Sequence, residues 1–159
     1  MQQRYLGAVS ALTFGLVLPT QVWADWQSTK WGNTPKEVQQ IYGDVVKPNA
    51  DRGYDLASGL GKAKLVAPYQ VGSHKFMAYF IFDKDDRLSV VALKLQSGVS
   101  CAQLMHELMA VYGPPQVRGS YGLAKWWDKA TGNLVTYANL GSCGVDYSPY
   151  TSPGKPGGL

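Results

Sequence analysis

Two stretches of the chain carry apolar residues at helical spacing, and each is bracketed by start and stop signals. Val38, Ile41 and Tyr42 lie at i, i+3 and i+4 and form one stripe. Thr34 stands ahead of them as a cap, Pro35 takes the first helical position, and Glu37 completes a T-x-x-E capping box. Gly43 ends the run, because it can take a positive φ without a Cβ clash. The second stretch repeats the design. Ser100 caps it, Gln103 is the reciprocal partner, and Leu104, Leu108, Val111 and Tyr112 supply the stripe. Gly113 closes it, and Pro114-Pro115 prevents continuation.

Elsewhere the pattern is that of strands and turns. Residues 44–62 are polar and glycine-bearing and read as a long loop. Lys64 to Val71, Phe76 to Phe82 and Leu88 to Leu95 read as strands, joined by turns at residues 72–75 and 83–86. Leu123 to Trp127 and Leu134 to Leu140 form a further hairpin, and Tyr147 belongs to a last short strand. Residues 148–159 hold three prolines and three glycines and read as a disordered tail. The helix ends Ile41-Tyr42-Gly43 and Val111-Tyr112-Gly113 echo each other, as do the turn sequences Asp83-Lys84 and Asp128-Lys129. The expected fold is α+β: two helices packed on one face of an antiparallel sheet, as two degenerate α-β-hairpin repeats.

The first residues follow a different pattern. Arg4 precedes an apolar run of 13 residues, Leu6 to Leu18, and Val22-Trp23-Ala24 puts modest or small residues before a cleavage point. This is the order of a secretory signal. A membrane-spanning helix needs about 20 apolar residues, so the run is too short for one. Asp25 follows the site, so no lipid-attachment cysteine stands there. The expectation is a signal peptide at 1–24, a single domain at 25–147 and a tail at 148–159. The exported protein would be periplasmic or secreted, with no membrane insertion after cleavage.

An exported chain changes the reading of its cysteines. Cys101 and Cys143 make an even pair with no C-x-x-C motif, which points to a structural disulfide. Closing such a loop stabilises a fold by about 4 kcal/mol on the chain-entropy estimate. The net charge of +4 is scattered, without a basic stripe, and nucleic acid is not an expected partner.

Catalytic patterns are not met. His106-Glu107 lacks the second histidine of H-E-x-x-H, since Ala110 occupies that place. Asp83, Asp85 and Asp86 resemble part of a calcium loop, but Leu88 and Lys94 stand where glycine and glutamate are needed. Gly59-Leu60-Gly61-Lys62 lacks the hydroxyl residue of a phosphate loop. His74, in a turn, and His106 read as surface or internally satisfied polar residues. No cofactor, metal or catalytic residue is assigned.

The segment Gly32-Asn33-Thr34, Val38 and Gly43 has the G-x-T-x-x-x-V-x-x-x-x-G spacing of the small outer-membrane assembly proteins of the SmpA/BamE type. It also resembles the repeat unit of the β-lactamase inhibitor proteins, which carry two α/β units in tandem. Gly98, Ser100 and Leu104 keep the first spacings in a second copy, and Gly113 and Pro115 keep G-x-P. The resemblance implies binding of other envelope proteins without catalysis.

The aromatic residues supply the candidate surface. Trp126 and Trp127 are adjacent, so in a strand they face opposite sides. Trp127 shares the parity of Lys125 and is the expected outward one. Tyr121, Lys125, Trp127 and Tyr137 are therefore the candidate binding surface. The expected function is a non-enzymatic exported binding module acting on another envelope protein, as inhibitor, immunity factor or assembly accessory. The alternatives are a module that binds cell-wall glycan on the same aromatics, and a small hydrolase with a site that matches no known motif.

Overall fold

The computed structural model describes residues 25–56, 61–120 and 122–150. The expected signal segment at 1–24, residues 57–60, Tyr121 and residues 151–159 lie outside them. Among the described residues, no helix is long and apolar enough to cross a membrane.

Both helices form where the apolar stripes place them. In α1 (Pro35–Tyr42), Thr34 Oγ1 accepts from the Glu37 N–H at 3.3 Å, and the Glu37 carboxylate accepts from the Thr34 N–H at 2.6 Å. In α2 (Cys101–Tyr112), Ser100 Oγ accepts from the Gln103 N–H at 3.2 Å. Gln103 does not reciprocate; its amide donates to Glu107. The stripes are narrower than the sequence implies. Val38, Leu104 and Leu108 are buried, whereas Ile41 is 42% and Val111 73% exposed.

Strands outweigh helices among the described residues. β1 (Asp25–Trp26) and β2 (Thr29–Lys30) form a small antiparallel pair. β3 (Lys47–Pro48), β4 (Lys62–Val71), β5 (His74–Phe82) and β6 (Leu88–Ser97) precede α2. β7 (Val117–Arg118), β8 (Ala124–Asp128), β9 (Asn133–Asn139) and β10 (Cys143–Pro149) follow it. All eight pair antiparallel in one sheet of order β3-β4-β5-β6-β10-β9-β8-β7.

This corrects the expected architecture. The described residues form not two helices packed on a sheet, nor a pair of α-β-hairpin repeats, but a sheet-dominated fold, an eight-stranded antiparallel sheet with two short α-helices. The physical reason is size. Helices of 8 and 12 residues are about 12 and 18 Å long, and eight strands about 4.8 Å apart span about 34 Å. Each helix is followed by four strands rather than a hairpin. The last strands of the two sets, β6 and β10, pair at the centre of the sheet. The two-residue strands β3 and β7 lie at its edges, where Pro48 is tolerated because no ladder continues beyond it.

Two other boundaries move. The loop expected at 44–62 holds β3 and a short 3-10 turn at Arg52–Tyr54. Of the tail expected at 148–159, residues 148–150 belong to the sheet: Ser148 and Pro149 pair with Leu134 and Asn133, and the Tyr150 N–H donates to Gly132 O at 2.8 Å; the rest lies outside the described residues.

The register sorts the side chains into two faces. On the inner face one row runs Leu65, Phe80, Val91, Tyr147, Val135, Trp126 across six strands. These residues join Trp26, Val38, Leu104 and Leu108 in one core. Cys101, at the start of α2, is bonded to Cys143, at the start of β10, with Cα atoms 5.5 Å apart. The bond ties the helix to the centre of the sheet. Gly98 allows the chain to enter α2 close to the β4–β5 turn. A Cβ there would stand 2.3 Å from the Ser73 carbonyl oxygen, and φ is +116°.

Candidate functional site

The outer face of the sheet is built differently in its two halves. Over β4, β5 and β6 the segment 49–56 folds back as a cover. Tyr54 stacks on Tyr79 at 3.6 Å between ring centroids and 14° between planes. Asn49 holds the segment to the sheet edge, its amide donating to Ala63 O at 2.8 Å. Burial, with Tyr54 beside it, pushes the Tyr79 phenol up to about 12. Lys94 lies over the Tyr54 ring at 5.2 Å, a cation–π arrangement. Ala63, Ile81 and Val90 complete this small second cluster.

Over β8, β9 and β10 none of the helices or of the described loop segments forms a comparable cover. Here the register places Asp146, Thr136 and Lys125 in one cross-strand row, continuing Val66, Tyr79 and Ala92 from the covered half. A parallel row holds Trp127, Leu134 and Ser148. Between the halves runs a trough of about 560 Å³, walled by Asp51 and residues 53–56 and floored by Ala92, Ala138 and Gly144. The depression exists because these positions carry a methyl group or no side chain at all. A Cβ at Gly144 would meet Leu93 O at 3.0 Å, so a larger residue there would also press on the backbone of β6.

Asp146 stands on this floor as its one carboxylate from a strand. Loss of hydration in the trough pushes its carboxyl from the ordinary 3.8 up to about 6. Its side chain nonetheless keeps an exposed edge, so the energetic cost of holding the charge is smaller than the shift alone implies.

The sequence-predicted surface residues divide. Lys125 and Trp127 lie on the outer face, both half-buried. Trp127 packs at 6.4 Å and 48° from Tyr150. Its neighbour Trp126 is on the inner face and 1% exposed. Tyr137 must be removed from the candidate surface. It is paired with Ala124 and Val145 on the inner face, is 2% exposed, and its hydroxyl donates to Cys101 O at 2.9 Å. The reason is parity: Trp127 faces Leu134, and three residues further along a strand the side chain points the other way. Tyr121 lies outside the described residues. Asp146, Thr136 and Leu134 escaped the sequence reading. The alternation Cys143, Val145, Tyr147 on one side and Gly144, Asp146, Ser148 on the other was the available signal.

Cys101 is bonded and cannot serve as a thiolate nucleophile. Among the described residues, no group of three or more His, Cys, Asp or Glu side chains could hold a metal ion. His74 is not in a turn but opens β5, buried, with Nε2 2.7 Å from a Glu107 carboxylate oxygen. Comparison with protein families, curated proteins and solved structures finds no match to this chain.

Proposed function

We propose that this protein is a non-enzymatic exported binding module that engages another cell-envelope protein through the outer face of β8, β9 and β10. The observation that carries this reading is the asymmetry of the outer face. The segment 49–56 folds over one half, while the other presents Trp127, Leu134, Thr136, Lys125 and Asp146 beside a shallow trough. A large aromatic with apolar and charged neighbours at the edge of a concavity is the composition of a protein-binding hot spot. The antiparallel sheet, pinned by a disulfide and by the Tyr54–Tyr79 stack, offers it on a rigid support.

Cell-wall glycan is the second reading. Trp127 and Tyr150 are tilted 48° to each other and do not make one flat stacking plane, which favours protein over sugar. The test is capture from an envelope extract on the immobilised protein, repeated with Trp127→Ala and Lys125→Glu, with isolated sacculi as a second phase. The reading predicts one protein partner at near-equal amounts, lost with either substitution while the melting temperature holds. Retention on sacculi with no protein partner supports the glycan reading. A partner retained by both variants places binding elsewhere.

A further inference from the structure

On the inner side, α2 and the β1–β2 pair do not close over the sheet. Between them lies a second groove of about 570 Å³, within the roughly 300–1,000 Å³ of small-molecule sites. Its floor is Phe76, Leu93, Val145 and Tyr147; Trp26 walls one side, Leu108 and Tyr112 the other. At one end of the strands is the β4–β5 turn, with Val71 and His74; at the other is the β8–β9 turn, with Asp128. Val71 and Val111, exposed by 52% and 73%, both line it. Two of the large exposed apolar side chains of the described residues thus border one concavity, where they would gain by covering an apolar guest.

The charges of this groove run against those of the chain. The protein has 15 Lys+Arg against 11 Asp+Glu. Yet among the described residues neither a lysine nor an arginine lines the groove, while Glu107 and Asp128 do. Its aromatic lining is rich: Trp26, Tyr69, Phe76, Tyr112 and Tyr147. Ring faces carry negative electrostatic potential and attract cations, the more so out of water. A fatty acid or a phosphate ester would find neither a lysine nor an arginine here, and the one imidazole of the lining, His74, already meets Glu107 at 2.7 Å. We propose that this groove is a binding site for an organic cation with an apolar body, an ammonium or quaternary ammonium group on an alkyl or aromatic frame. The apolar body lies over Leu93 and Val145, and the cationic head meets the aromatic faces on the Glu107 side. Burial, with Tyr112 beside it, holds the Tyr147 phenol well above its ordinary range, so this wall stays an uncharged ring. The site is independent of the outer face and stands or falls without it.

Decyltrimethylammonium and decanoate share a chain length and differ in head charge, so they test the site directly. Titration calorimetry of the purified protein, below the micellar range of each, should give one saturable site for the ammonium. Its affinity should be at least tenfold above that for decanoate. Val111→Lys, at an exposed position, should weaken ammonium binding about fivefold or more, and Glu107→Gln should weaken it severalfold. Trp127→Ala, on the opposite face, should leave it unchanged. Should either groove variant lose its melting transition, amide chemical-shift mapping on the unsubstituted protein replaces it, with shifts expected around Val71, Leu108 and Tyr147. Non-saturable ammonium binding, equal or tighter decanoate binding, or shifts clustered away from the groove would overturn the site.

Discussion

The indole N–H of Trp126 donates to the carbonyl oxygen of Gly113 at 2.8 Å. The bond joins the centre of β8 to the end of α2, and the Tyr112 ring packs on the same indole at 6.1 Å. Tyr42, at the end of α1, stands in the same relation to Phe80, at 5.6 Å. In both places the chain leaves the helix at a glycine whose positive φ turns it toward the sheet edge.

The anchoring role predicts a large effect of truncation. Trp126→Ala should cost about 3–5 kcal/mol of stability through the cavity and the lost indole bond. Trp126→Phe keeps most of the ring and should cost less, about 1–2 kcal/mol. Trp127→Ala should cost no more than about 1 kcal/mol, as expected of a side chain outside the main core. Urea unfolding of the three variants checks the order.

The disulfide holds two element starts together, and of its two residues only Cys143 borders a groove, the outer trough. Replacing Cys101 and Cys143 with serine should lower stability by about 2–4 kcal/mol and, on the proposed reading, leave binding through the outer face intact in the folded fraction. Melting curves with and without reductant on the unsubstituted protein should show the same loss. A protein whose melting is unmoved by complete reduction would contradict the assignment.

Asp146 gives the molecule a pH dependence of defined sign. Its folded value lies above its ordinary one, from 3.8 to about 6. Within that window the folded protein therefore binds more protons than the unfolded chain. Stability then falls as pH rises through the window, and the loss persists at neutral pH. The charged groups that face the trough with it are Lys94, Asp51 and Asp55, with Lys125 one strand beyond Thr136. Asp146→Asn should melt higher than the unsubstituted protein at pH 7.5, and the difference should close as pH approaches 4. A variant that melts lower at pH 7.5 would show that the carboxylate is stabilised in the fold.

Much of the local structure was legible because local chemistry decides it. The Thr34-Glu37 box, Ser100 and the glycines at 43 and 113 specify their helix ends within a few residues. The disulfide followed from an even cysteine count. The proportions of the fold were not legible. β3 and β7 are two residues long and carry no periodic signal; they exist because a neighbouring strand offers an open edge. β10 reads weakly, since Gly144, Ser148 and Pro149 are poor strand formers, and it is held by pairing on both sides. Missing these turned an eight-stranded sheet into hairpins. The candidate surface shared that fate. The opposite orientations of Trp126 and Trp127 follow from adjacency alone, whereas Tyr137 required the β8–β9 register, which no local pattern supplies.

The central claim is that the outer face of β8, β9 and β10 meets a protein partner. A photoreactive phenylalanine analogue at Thr136, in the middle of that face, tests it in the intact envelope, with the same analogue at Ile41 on exposed α1 as control. Irradiation should join the Thr136 position to one envelope protein, and that adduct should disappear when Trp127→Ala is added; Ile41 should give no such adduct. Equal adducts from both positions, or an adduct at Thr136 that persists with Trp127→Ala, would contradict the account.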